Sequence, residues 1–349
     1  MPRGVENADH LEPQPGCWDV MVAYLKACGL LCYIACPPVP SYITRKLAFH
    51  PPEKGVTYRL EKKSAPGVSV RSAADLHGDH DDINLILRNV SNGMDCELPA
   101  DTTEVFTVKT SNKNTLVGVR CMPFEPSSNA ILEKQVILFC QPNSSDLGGF
   151  LQPQIMNLHH YADIFCVDVY AFDYSGYGYS SGTQGEKNVY ADVRAVYQHI
   201  RDTRPDKYIV LMGYSIGTTA VIDLASTNPP NLSGVVLIAP FTSSLRLVSQ
   251  TPNKPNTCWA DSFKSYDKVE HINTKVLVCH GDVDEVIPLS HGLALYEKLK
   301  NPAPPAIVHG ANHLTILSGR HSNVFGRIHR FLKQETVMNR TSDIEEGMD

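Results

Sequence analysis

The stretch "VLMGYSIGTTA", Val210 to Ala220, ends an apolar run on a serine held between two glycines, Gly213 and Gly217. The run "YIVLMG" (208–213) is short, β-branched and continuous, the pattern of a strand buried on both faces. After Ser215, "IGTTAVIDLAST" opens with small residues and reads as a helix. Glycines on either side let the strand and helix backbones approach across a strained turn, which leaves the serine oxygen exposed at the sheet edge. That is the geometry of a nucleophile elbow. A hydroxyl alone is a poor nucleophile, so the elbow predicts a base and an orienting acid elsewhere in the chain.

Candidates for both follow in chain order. "VLVCHGDVDEVIP" (276–288) offers Asp282 and Asp284 after one strand-like run, and "AIVHGANHL" (306–314) offers His309 and His313 after the last. Serine, then acid, then histidine is the order of the α/β-hydrolase fold. Both pairs fall at strand ends, and spacing alone leaves the choice within each pair open. In this chemistry the histidine takes the serine proton and then protonates the leaving group, while the acid fixes the tautomer. The N–H of Ile216, the residue after the nucleophile, is the expected oxyanion donor.

The surrounding pattern supports a doubly wound, mostly parallel sheet. Further continuous apolar runs occur at 135–140, 167–172, 234–239, 275–280 and 305–310, with helical stretches between them, such as 185–203 and 289–300. Alternating strands and helices imply an α/β domain. Only about 35 residues separate Ala239 from the run near Lys275, enough for a small lid or none. The catalytic domain is expected over 104–333, with 334–349 a disordered tail. Residues 51–103 lack clear periodicity and read as a weakly structured insertion. Within them His77, Asp79, His80, Asp81 and Asp82 are expected to be a solvated loop rather than a metal cluster. "FDYSGYGYSSG" (172–182) is one residue off a dinucleotide fingerprint and follows the wrong strand, so it reads as a structural turn. No cofactor and no metal are expected.

Composition narrows the setting. A net charge of -6 with no basic run argues against nucleic acid as a partner. Of ten cysteines, Cys17, Cys28, Cys32 and Cys36 crowd the first 36 residues, and the scattered remainder lack the paired spacing of a zinc site. Lys26 splits the apolar run around them, and the start of the chain is acidic, unlike a signal peptide. On a helix, Cys28, Cys32 and Cys36 advance only ~40° per step and share a face. Such a cluster suits either docking on the core or reversible S-acylation.

"CYIACPPVPSYITRKLAFHPPEKGVTY" (32–58), "FDYSGYGYSSG", "EKNVYADV" (186–193), "GYSIGTTAVIDLAS" (213–226) and "HGDVDEVIPLSHGLALYEKL" (280–299) together resemble the α/β-hydrolase domain-containing protein 17 family. The resemblance implies a serine hydrolase that removes long-chain acyl (palmitoyl) groups from cysteines of membrane-associated proteins. It also implies Ser215, Asp284 and His313 as the triad, and S-acylation of Cys28, Cys32 and Cys36. By the same resemblance, the chain is expected at the cytoplasmic face of plasma or endosomal membranes, as a monomer anchored by its own lipids. Where the family has His-Gly-Asn after the strand 135–140, this chain has Gln141-Pro142-Asn143. Proline fixes φ and donates no N–H. Asn143 is therefore the expected second oxyanion donor, on a loop whose altered path is expected to slow the enzyme. The family's polar pair after the histidine is replaced by Leu314-Thr315. A lipid or carboxyl esterase and a catalytically weak acyl-binding scaffold are the alternative readings.

Overall fold

The computed structural model describes residues 40–76 and 82–336. Cys17, Cys28, Cys32 and Cys36, residues 77–81 and the tail from 337 onward lie outside the described residues. Four short strands come first: β1 (Tyr58–Lys62), β2 (Ala65–Val70), β3 (Asn84–Arg88) and β4 (Asp95–Glu97). Eight more follow: β5 (Thr103–Lys109), β6 (Thr115–Cys121), β7 (Gln135–Cys140), β8 (Asp168–Phe172), β9 (Tyr208–Tyr214), β10 (Leu232–Ile238), β11 (Val276–Gly281) and β12 (Ala306–Val308). These eight form one sheet in the order β12-β11-β10-β9-β7-β8-β6-β5. From β8 to β12 all neighbours are parallel, and β6 and β5 complete the edge as an antiparallel pair. The chain thus has the α/β-hydrolase fold expected from its elbow, and every one of the six apolar runs named above is a strand of this sheet.

Those runs are continuous because both faces of the sheet are covered. Along β7, Ile137 and Phe139 enter one core layer, while Val136, Leu138 and Cys140 enter the other. Successive side chains in a strand point to opposite faces. Six helices of eight or more residues occur among the described residues: α1 (Pro40–Ala48), α2 (Leu158–Phe165), α3 (Glu186–Thr203), α4 (Gly217–Ala225), α5 (Leu289–Lys298) and α6 (Ser322–Arg330). Helix α3 buries Val189, Val193, Val196 and Ile200 at helical spacing against one layer, beside α4 and α5. The opposite layer is covered by α2 and α6.

Two boundaries differ from the sequence-based expectation. Residues 51–103 are not a weakly structured insertion. They hold a second, antiparallel sheet, ordered β2-β1-β3-β4, whose Tyr58, Leu60, Leu85 and Leu87 are buried in the same layer as α2 and α6. Its strands escaped notice because they are short and one-sided: β1, "YRLEK", buries only Tyr58 and Leu60, and β2, "APGVSV", is an exposed edge strand that tolerates a proline. Asp82, expected in a solvated loop, is partly exposed and accepts from the Ser64 amide and hydroxyl. The tail also begins later than 334. One π-type turn, Phe331–Glu335, extends α6, and Thr336 is fully buried beneath β10, close to Gly234.

Candidate active site

Ser215 sits one residue beyond β9 with φ at 55°, a left-handed conformation that a β-carbon disfavours. Such a backbone costs about 1–3 kcal/mol and persists only where its surroundings hold it. Here its N–H donates to the Ile238 carbonyl of β10 at 2.9 Å. The flanking glycines have no space for a side chain. A β-carbon on Gly213 would lie 2.7 Å from the Thr218 Cα, and one on Gly217 would lie 2.1 Å from the Cys140 carbonyl oxygen at the end of β7. Strand, turn and helix close on one another, and the hydroxyl is left at the C-terminal edge of the sheet.

His313, in the loop after β12, brings Nε2 to 3.0 Å from the Ser215 Oγ. Its Nδ1 lies 2.8 Å from the Asp284 Oδ2. The other Asp284 oxygen accepts from the N–H groups of Val286 and Ile287, at 2.9 and 2.8 Å. Burial pushes the Asp284 carboxyl up, but hydrogen bonds from His313 and the Ile287 N–H bring it net below the usual range. It therefore stands as a carboxylate facing an imidazole N–H. The hydroxyl of Tyr214 donates to the His313 carbonyl. The remaining candidates, Asp282 and His309, pair with each other at 2.8 Å on an exposed turn, where Asp282 also accepts the Gly310 N–H. The two acid–histidine pairs are thus parallel clamps between the β11 and β12 loops, and only one of them reaches the serine.

One neighbour escaped the sequence reading. His280, the last residue but one of β11, is fully buried and contacts the Ile287 carbonyl through Nε2 at 2.8 Å. The same nitrogen is 3.7 Å from the Asp284 Oδ2. Burial lowers its pKa and keeps it neutral, so it braces the loop that carries Asp284 without adding a charge. Its spacing of four from Asp284 was visible, but no motif marked it.

Two clefts meet at Ser215. One, of about 520 Å³, runs past Ile216 between α1 and the β10–β11 connection, lined by Leu47, Phe241, Leu247, Val248 and Phe263 among others, with no charged side chain. The connection between β10 and β11 forms its outer wall, so the expected small lid is present as a side wall rather than a cap. The other cleft, of about 1000 Å³, opens on the His313 side and is lined by Pro142, Ser145, His160, Leu314 and Arg320 among others. Ser215 and Asn143 border both.

Comparison with known proteins agrees with this geometry. A family model described as serine aminopeptidase, S33 (Hydrolase_4) matches residues 166–266, the part that contains the elbow. Alpha/beta hydrolase domain-containing protein 17C of Xenopus tropicalis is 35% identical over 88% of this chain and 94% of its own. Alpha/beta hydrolase domain-containing protein 17B of Homo sapiens is also 35% identical, over 88% of this chain and 96% of its own. The chain belongs to the α/β-hydrolase domain-containing protein 17 family. Among solved structures, a Pyrococcus furiosus esterase matches with a TM-score of 0.53 at 16% identity, covering 67% of this chain and 93% of its own. That likeness concerns the fold.

As a member of the domain-containing protein 17 family, the chain is a hydrolase, and two short stretches near its serine are the ones where the sequence reading expected a departure from the family pattern. The first is Gln141-Pro142-Asn143. Gln141 is buried, and its carbonyl accepts the Tyr174 hydroxyl at 2.7 Å. Pro142 faces the wide cleft. The Asn143 side chain is anchored by the His50 N–H (3.0 Å) and the Tyr177 hydroxyl (2.7 Å), both donating to its Oδ1. Asn143 lines the same cleft as Ser215, and Ile216 stands at the N-terminus of α4, where the first N–H groups have no intrahelical partner. The second stretch is Leu314-Thr315. Leu314 is exposed, whereas Thr315 accepts the Asn312 N–H at 3.0 Å and donates its own N–H to the Asn312 side chain at 3.0 Å. This reciprocal turn holds the loop on which His313 sits.

Proposed function

We propose that this family member is an acyl-protein thioesterase that removes long-chain acyl groups from cysteines of membrane-associated proteins. The observation that carries the reading is the Ser215–His313–Asp284 chain, at 3.0 and 2.8 Å, beside an uncharged apolar cleft. His313 takes the proton as Ser215 Oγ attacks the thioester carbonyl, and Asp284 stabilises the resulting imidazolium. The Ile216 N–H and the Asn143 loop face the developing oxyanion. His313 borders only the wide cleft, so the leaving thiol and its peptide belong there and the acyl chain belongs in the apolar one. Each methylene buried there contributes about 0.8 kcal/mol, which favours long chains over short ones. The tetrahedral intermediate collapses with cleavage of the C–S bond, His313 returns its proton to the leaving thiol, and water, deprotonated by the same histidine, then releases the fatty acid and restores the Ser215 hydroxyl.

Among the described residues no helix is long and apolar enough to cross a membrane. We place the protein at the cytoplasmic face of plasma or endosomal membranes as a monomer, held by acylated Cys28, Cys32 and Cys36. One acyl chain binds only marginally, and several clustered chains anchor stably. Replacing these three cysteines with serine together is expected to move the protein to the soluble fraction with its activity in detergent retained. Protein that stays membrane-bound refutes the anchor. A fluorophosphonate probe tests the nucleophile: it is expected to label the protein at Ser215 and not the Ser215→Ala variant. Acyl-thioester turnover well above that of the matching oxygen ester separates the thioesterase from a lipid or carboxyl esterase. Absent labelling favours the acyl-binding scaffold.

A further inference from the structure

Asp173 opens the turn "FDYSGYGYSSG", which no part of the chemistry above uses, and it is wholly buried at the end of β8. One of its oxygens, Oδ1, accepts two hydrogen bonds: from the Gln141 side-chain Nε2 at 3.0 Å and from the Leu147 N–H at 2.8 Å. Gln141 and Leu147 are the two ends of the loop that carries Pro142 and Asn143. A carboxylate oxygen has two lone pairs, so a single atom closes this loop at its base. The other oxygen, Oδ2, accepts the hydroxyl of Tyr58, which itself accepts the Tyr179 N–H at 3.1 Å.

The preceding residue, Thr57, donates to Asp146, whose side chain also accepts the Gly149 N–H at 2.9 Å. The start of β1 therefore engages carboxylates on both flanks of the loop. Gly178 makes room for this: a β-carbon there would lie 2.0 Å from the Asp173 Oδ2 and 2.4 Å from the Tyr58 hydroxyl. The orientation of Gln141 points the same way. Its Nε2 faces Asp173 and the Ser145 carbonyl, and its buried Oε1 has no hydrogen-bond partner among the described residues. Flipping the amide would set Oε1 against two acceptor oxygens, so Asp173 dictates the side-chain pose.

We infer that Asp173, with Gln141 and Tyr58, is a positioning residue for the oxyanion loop, holding the Asn143 backbone in register with Ile216 despite Pro142. The inference rests on the hydrolase reading above. A misplacement of about 1 Å at a reacting centre costs about 10²-fold in rate, comparable to losing one oxyanion donor. None of Asp173, Gln141 and Tyr58 lines the apolar cleft, so substrate binding is expected to survive.

The test compares Asp173→Ala, Asp173→Asn and Gln141→Leu with the parent protein, using a palmitoyl-thioester peptide and a short p-nitrophenyl ester, below each variant's thermal midpoint. Hydrogen exchange of the amides in 142–147 is followed in parallel. Asp173→Ala is expected to lose about 10²-fold in kcat with KM within threefold, and to exchange faster across 142–147. Asp173→Asn keeps an oxygen for both ends of the loop and is expected to recover most of kcat. Gln141→Leu, the variant to rely on if Asp173→Ala does not fold, is expected to lose about tenfold. A folded Asp173→Ala, or Gln141→Leu in its place, with parental kcat and parental exchange overturns the inference. So do Ala and Asn variants that lose activity equally and only in step with their midpoints. A parent protein that turns over neither substrate refutes the hydrolase reading instead, and the exchange data then decide the loop brace alone.

Discussion

Ser215 combines a backbone conformation disfavoured for any residue with a β-carbon and a hydroxyl within 3.0 Å of an imidazole. The histidine is useful only in one tautomer, with Nε2 free to accept the serine proton. Asp284 imposes that tautomer from the Nδ1 side and is itself fixed by two backbone N–H groups. Asp284→Asn preserves the shape of the site but loses the charge and favours the wrong tautomer. Its expected effect is a fall in kcat of about 10⁴-fold with little change in thermal midpoint, read by steady-state kinetics and calorimetry. Asp173 yields a prediction of a different kind. Burial and the nearby Asp146 push its carboxyl up to about 7, against the donors that favour its ionised form. The folded state thus holds this proton more tightly than the unfolded one. The linked stabilisation is complete below the unfolded value near 3.8 and is lost as pH rises through about 7. Asp173→Asn has no such proton. Between pH 4 and 7 the parent protein is expected to lose stability relative to this variant, with no further change above pH 8. Denaturation midpoints across that range check it, and a constant difference between the two proteins contradicts it.

At the scale of elements, β9, the elbow and α4 form a unit set by two glycines. Gly217→Ala would drive a β-carbon into the backbone carbonyl of Cys140, which cannot move without shifting β7. Overpacking of this kind costs about 1–3 kcal/mol, and here it also displaces Ile216. The variant is expected to lower the unfolding free energy by that amount and to reduce activity more than tenfold. Parental stability and activity would contradict the close packing. This unit was legible in the sequence because a continuous apolar strand, a G-x-S-x-G turn and a small-residue helix occur in one short window. The six core strands were legible for the same reason, since burial on both faces removes polar alternation. The choice between Asp282 and Asp284 was not legible from spacing, because both lie in one loop and both find a histidine. What separates them is that the histidine paired with Asp284 reaches the Ser215 hydroxyl, which only the folded chain reveals. Asp173 was read as part of a turn because its partners stand at 58, 141 and 147.

For the molecule as a whole, the antiparallel sheet over 58–97 belongs to the catalytic unit. Tyr58, Leu60, Leu85 and Leu87 are each at most 2% exposed, and burial of a side chain of this size contributes about 1.5–3 kcal/mol. Together they rival the entire net stability of a typical domain, about 5–15 kcal/mol. A chain beginning at Thr103 is therefore expected to show no cooperative unfolding transition by circular dichroism, and a sharp transition in it would contradict this view. The N-terminal side also shapes the substrate site directly, since Leu47 and Ala48 of α1 line the apolar cleft.

The most direct measurement is rapid acid quenching of the protein during turnover of a palmitoyl-thioester peptide, followed by peptide mass spectrometry. A palmitoyl group on the Ser215 hydroxyl is expected, absent from Ser215→Ala, whose turnover should fall by roughly 10⁵–10⁶-fold. Undiminished turnover in Ser215→Ala, or an acyl group carried on a different residue, would contradict the account.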